Sequence, residues 1–264
     1  MSKTAHGLHY VTDDLRVPWR QDASPVLFHH GIGTTLNIWS EWVPIIAVEH
    51  PVLRFDMRGF GLSAIPSVDH LWSLDEMVND LWEVVDSAGH DAVHLVGESF
   101  GATVIMAAAI ACPERVLSLR VLNGTFKGKG LGELSRWTAQ FASGNSIAWS
   151  KRMMENRFAP DAAPPEALAW FEREQEKTMP HVAVGLGMVL AATDLTVGLK
   201  RLNTPLSVVL PDGSPFVPVE HGREMIRLVT RATLRIVAGV RHGLPFSHAK
   251  QEAQDLLASL SAQE

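Results

Sequence analysis

The sequence holds a single cysteine, Cys112, among 264 residues. That excludes an intrachain disulfide and any zinc cluster built from several thiolates. An excess of basic residues is missing as well. Lys and Arg number 23 against 29 Asp and Glu, a formal charge of −6, and the pI is about 6.0. Nucleic acid is therefore not expected as a partner, because phosphate binding needs a basic surface. No apolar run reaches bilayer length; the longest, around Ala102 to Cys112, is too short to span. The start, Met1-Ser2-Lys3-Thr4-Ala5-His6, lacks an apolar segment of signal-peptide length. Gly59 and Gly61 lack the third glycine and spacing of a dinucleotide fingerprint, and no phosphate loop is present. These absences predict a cytoplasmic protein that engages no membrane and needs no cofactor.

What is present is a foldable chain. Hydrophobic residues make up 46% and charged residues 20%, values of an ordinary globular protein. A chain this long buries enough surface to fold without disulfide or metal staples. Strand-like and helix-like segments alternate. Gly7–Val11 and Leu15–Trp19 read as a hairpin, and Pro25–His29 as a buried strand. Trp39–Val48 reads as a helix and Val52–Asp56 as a strand. Ser73 and Glu76 form a capping box ahead of Leu74, Met77, Val78, Leu81, Trp82 and Val85, which recur at helical spacing. Ala92–Val96 is a strand, residues 102–112 an all-apolar buried helix ended by Pro113, and Leu117–Leu122 a further strand. The alternation resumes at Pro205 with strands at 206–210 and 234–237 and helices at 219–229 and 247–260. Such alternation predicts a mostly parallel sheet covered on both faces. Residues 125–200 interrupt it with a helical block rich in Trp, Met and Phe.

The pentad Gly97-Glu98-Ser99-Phe100-Gly101 follows a strand and opens a buried helix. Its setting is that of a strained strand-to-helix turn that exposes a serine nucleophile. The helix N-terminus behind Ser99 offers N–H groups and a positive dipole end to a developing oxyanion.

With these motifs in this order the chain resembles the α/β-hydrolases, in particular their esterase and enol-lactonase branch. The resemblance rests on His29-His30-Gly31-Ile32-Gly33, Asp56-Met57-Arg58-Gly59-Phe60-Gly61-Leu62-Ser63, the pentad, Pro205–Pro218, and Val237-Ala238-Gly239-Val240-Arg241-His242. It implies an eight-stranded, mostly parallel α/β-hydrolase sheet flanked by helices. Residues 1–124 and 201–264 would form the core, with a helical cap at 125–200 inserted after strand 6. It implies Ser99 as nucleophile, His242 as general base, and an oxyanion hole from the backbone N–H groups of Ile32 and Phe100. If His242 is unperturbed, kcat/KM should fall as pH drops through ~6.5.

The acid is where the sequence departs from the family pattern. The family usually carries Asp where this chain has Ser214, and the alternative position after strand 6 holds Asn123. Asp212, two residues early, is the first choice for the triad acid and Asp194 the second. A third arrangement leaves Ser214 or Asn123 to orient the histidine. Asp56 and Arg58 are read as residues that tie their loop together, and the adjacent His29 and His30 as poor chelators, because neighbouring strand residues face opposite ways.

Trp137, Phe141, Trp149, Met153, Met154 and Phe158, with Trp170, Phe171, Met188 and Leu190, are expected mostly to form the cap's own core, the remainder facing the catalytic loops. That implies a pocket for a small apolar or carboxylate-bearing molecule. Lys151, Arg152 and Arg157 read mostly as a solvated face, from which one could pair with a substrate carboxylate. The expected reaction is hydrolysis of a small ester or lactone through an acyl-enzyme. Carbon–carbon bond hydrolysis of a vinylogous diketone and ligand binding without turnover are the alternatives. A homodimer is compatible with the aromatic surface.

Overall fold

Val26–His29 is buried at every residue, as a strand must be when helices cover both faces of its sheet. In the computed structural model, which describes residues 2–19, 22–131 and 146–262, this segment is β3 of an eight-stranded sheet. The others are β1 (Ser2–Lys3), β2 (His9–Asp13), β4 (Val52–Phe55), β5 (Val93–Glu98), β6 (Val116–Leu122), β7 (Leu206–Pro211) and β8 (Ala232–Val237). Their spatial order is β1-β2-β4-β3-β5-β6-β7-β8. The β1–β2 and β2–β4 pairs are antiparallel and the rest parallel.

Two local expectations change. Residues 15–19 form no strand, and β2 pairs instead with β1 and β4. Both edges of β2 are thereby taken, and Pro18 has no N–H to offer a neighbour. The helix expected over Trp39–Val48 is a 3-10 turn at Leu36–Trp39 followed by a short α1 (Val43–Ile46). Pro44 sits in the first turn of α1, where a missing N–H costs nothing.

Helix α2 (Leu74–Ser87) starts as its capping box predicts, with Ser73 Oγ accepting from Glu76 N at 3.1 Å. Helix α3 (Phe100–Ala111) is apolar all round because it is buried between the sheet and its neighbours. Between β6 and β7 lie α4 (Ser146–Arg157), α5 (Pro165–Glu176), α6 (Pro180–Ala192) and the short α7 (Thr196–Leu199). Helices α8 (Val219–Leu228), α9 (Leu244–Ser247) and α10 (Ala249–Ser261) complete the described chain. Two apolar clusters form the core, one around α2 and α3, the other around Trp39, Trp42 and α10. Among the described residues no helix is long and apolar enough to cross a membrane.

The register fixes the site. His29 on β3 stands beside Gly97 on β5, and Pro211 on β7 beside Val237 on β8. The loops leaving these parallel strands therefore converge at one edge of the sheet, where open α/β folds place their ligands.

Candidate active site

Ser99 is built into strain. Its backbone has φ +54° and ψ −118°, a conformation that side chains rarely adopt. The flanking glycines make the turn sterically feasible. A Cβ on Gly97 would sit 2.7 Å from Gly101 O, and one on Gly101 would sit 2.5 Å from the carbonyls of His29 and His30. The turn leaves Ser99 Oγ 3.0 Å from Nε2 of His242, 143 residues later.

His242 follows β8 and is 2% exposed. Its second ring nitrogen, Nδ1, lies 2.9 Å from Ser214 Oγ. Phe216 packs edge-on against the imidazole with centroids 4.8 Å apart. Burial, reinforced by the nearby Arg157 charge, holds the imidazole well below the ordinary histidine range. The ring is therefore neutral at pH 7, as a proton acceptor must be. This moves the expected activity limb below ~6.5, the value assumed for an unperturbed ring.

Asp212, the first choice for the acid, is not at the ring. Its exposed side chain accepts from Gly239 N at 2.7 Å. The Asp212-Gly213 turn thus pins the β8 loop, with Gly213 N donating to Val240 O. Asp194 is exposed and accepts from Thr196 N at 2.9 Å, ahead of α7. Asn123, in the left-handed region at φ +54°, donates its amide to the backbone carbonyl of His242 rather than to the ring. The neighbour of Nδ1 is thus a hydroxyl, at the family's usual acid position. Its oxygen also accepts from Phe216 N and Val217 N, both at 3.3 Å.

Ile32 and Phe100 both line the cavity that opens on Ser99 and His242. The loop carrying Ile32 is held from behind. Met57 N donates to His30 Nε2 at 2.8 Å, so Nδ1 carries the proton that it shares with Gly31 O at 2.8 Å. Glu98 Oε1 accepts from Gly31 N at 2.8 Å. A Cβ at Gly31 would lie 2.6 Å from that oxygen, so only glycine fits. Burial pushes the Glu98 carboxyl up, and Arg157 pulls it back. His29 spends Nδ1 on the His30 carbonyl, and burial pushes its pKa down to about 3. Asp56 accepts from Leu36 N and Leu62 N and meets His9 Nδ1, while Arg58 pairs with Asp80. Both tie their loop together, as read from the sequence.

The cavity holds about 60 Å³ and is largely apolar, with Trp149, Met153, Leu190 and Phe216 among its walls. Phe158, Trp170 and Phe171 pack instead into a ring cluster with Phe246. Met188 is exposed, and Trp137 and Phe141 lie outside the described residues. Arg157 corrects the reading of a solvated face: it is 6% exposed and lines the cavity. The signal was in the spacing. Trp149, Met153 and Arg157 recur every four residues and so share one face of α4. Glu98 was missed as a structural brace; a charge at the last position of a buried strand was its only trace.

A profile of the alpha/beta hydrolase fold matches residues 24–249. The chain belongs to the α/β-hydrolase family. This family of enzymes includes 3-oxoadipate enol-lactonase 2 of Acinetobacter baylyi, 22% identical over 248 residues, covering 86% of this chain and 87% of that protein. The 2-hydroxymuconate semialdehyde hydrolase of Pseudomonas sp. strain CF600 is 36% identical over 104 residues, 38% of this chain and 36% of that one. Such stronger local matches span only 33% to 44% of the relatives' length. Among solved structures, the enol-lactonase from Burkholderia xenovorans LB400 superposes with a TM-score of 0.88 at 18% identity, covering 98% of both chains. At that identity the likeness concerns the fold.

Proposed function

We propose that this α/β-hydrolase cleaves a small carboxylic ester or lactone through Ser99 and His242, with Ser214 in place of the usual acid. The observation that carries the reading is the relay Ser99 Oγ–His242–Ser214 Oγ, at 3.0 and 2.9 Å, of which Ser99 and His242 line an apolar cavity. The similarity to lactonases supports the substrate class.

His242 Nε2 takes the Ser99 proton as Oγ attacks the carbonyl carbon. The backbone N–H groups of Ile32 and Phe100 receive the oxyanion, helped by the α3 N-terminus. The C–O bond to the leaving oxygen breaks, and His242 returns the proton to it. Water then attacks the acyl carbon as His242 takes one of its protons; the bond from the acyl carbon to Ser99 Oγ breaks, and His242 returns that proton to Oγ, which releases the acid and restores Ser99. Ser214 Oγ accepts a hydrogen bond from Nδ1–H and so fixes the tautomer, but brings no charge to the imidazolium that forms midway. Residues 1–124 and 201–264 serve as the catalytic core and 125–200 as the cap that bounds the cavity.

A serine-directed fluorophosphonate tests the reading. Labelling confined to Ser99, lost in Ser99→Ala and slowed in His242→Ala, is expected. A folded protein that resists labelling and binds small acids without turnover would overturn it, and the neutral partner at Nδ1 favours that second reading. A vinylogous diketone in the substrate panel separates carbon–carbon from ester cleavage.

A further inference from the structure

Arg157 is the one cationic side chain among the described residues that line the cavity. Its Nη2 donates to Ile32 O at 2.8 Å, its Nε is buried without a hydrogen-bond partner, and its guanidinium lies over Phe171. Its own backbone carbonyl accepts from Gly243 N at 2.7 Å, so the end of α4 is fixed against the histidine loop. Glu98 is near enough to interact with the guanidinium, but its Oε1 is engaged by Gly31 N and Thr34. A guanidinium in an apolar enclosure, with a donor unmet, is costly unless an anion joins it. The planar fork of an arginine suits a carboxylate in particular.

We propose that Arg157 is the specificity-determining residue of this cavity and binds a carboxylate on the substrate. The substrate is then an ester or lactone of a short dicarboxylic or oxo acid, with one carboxylate free. This rests on the hydrolase reading above. Size is consistent with it, since a cavity of about 60 Å³ suits a compact acyl group. Position supports it too, because the guanidinium lines the same cavity as Ser99 and holds the carbonyl of Ile32, the residue assigned above to the oxyanion. Binding the anion also offsets the positive charge that disfavours protonation of His242.

The test compares p-nitrophenyl butyrate with the mono-p-nitrophenyl ester of succinate on the full chain. The wild type should prefer the anionic ester. In Arg157→Met the ratio of kcat/KM for the anionic over the neutral ester should fall about 100-fold, the size of a lost charge-assisted pair, mostly through KM. Arg157→Lys should recover part of it, and succinate should inhibit the wild type competitively but not Arg157→Met. Equal losses on both esters would reduce Arg157 to a brace for Ile32 and overturn the proposal. So would neutral-ester turnover without anionic preference, which leaves the hydrolase reading intact. If neither ester turns over, calorimetry of succinate on the Ser99→Ala protein decides. Binding that Arg157→Met abolishes upholds the anion site while the hydrolase reading fails, and no binding overturns both.

Discussion

Replacing Ser214 with Asp supplies a charge at a position where donors already point. The carboxylate would meet His242 Nδ1 where Ser214 Oγ now lies at 2.9 Å, and Phe216 N and Val217 N already point at that position. Taking about 3.5 Å between charges, and an effective dielectric of roughly 20 to 40 for a half-buried pair, Coulomb's law gives about 2.4 to 4.7 kcal/mol in favour of the imidazolium. Because the imidazolium forms during acylation, that converts to roughly a 50- to 3,000-fold rise in kcat/KM. The same charge raises the histidine pKa, so the acidic limb of the pH profile moves up. The assay is p-nitrophenyl ester hydrolysis from pH 4.5 to 9, with Ser214→Asn as the neutral control and a thermal melt to verify folding. A gain in Ser214→Asp that Ser214→Asn lacks, together with the shifted limb, is expected. Equal rates in both variants, or an unmoved limb in a folded Ser214→Asp protein, would refute the view that the missing charge limits the histidine.

Three further outcomes are open to measurement. Wild-type kcat/KM should stay level from pH 8 down through 6.5 and fall only in more acidic solution, because burial and Arg157 hold His242 neutral; an inflection near 6.5 would contradict this. Acid should unfold the protein early: burial lowers the pKa values of His29 and His94 to about 3 and about 4. Below the unfolded value of ~6.5 the unfolded chain binds protons that the native state refuses, so stability is full above that pH and declines as pH falls towards 4. At pH 5 each ring costs about 2 kcal/mol, readable as a lower urea midpoint than at pH 7.5 and partly recovered in His94→Gln. Gly101→Ala should collapse both expression and fluorophosphonate labelling, since its Cβ would strike two strand-end carbonyls at 2.5 Å; a stable, reactive variant would mean the turn is looser than described.

Local signals carried the sheet, the nucleophile turn and the histidine loop. Strand periodicity, Gly97 and Gly101 around Ser99, and the order of segments need only neighbours in the chain, and the fold follows them from β3 to β8. The failures share a cause, since each depended on which groups meet from distant segments. Asp212 and Ser214 lie two residues apart in one turn, and only the packing of that turn against β8 turns the aspartate to Gly239 and the serine to the imidazole. Arg157 reads as a surface charge until α4 is set against the cavity, where the face it shares with Trp149 and Met153 points inward. Glu98 looks like a filler within the pentad until β3 and β5 pair and bring Gly31 N to its carboxylate. Short-range patterning was enough for the fold and for the places of the proposed nucleophile and base, because steric and hydrophobic signals involve near neighbours in the chain. Which group faces the histidine and which charge enters the pocket emerge from long-range packing, because electrostatics at a site is set by residues brought together from across the chain.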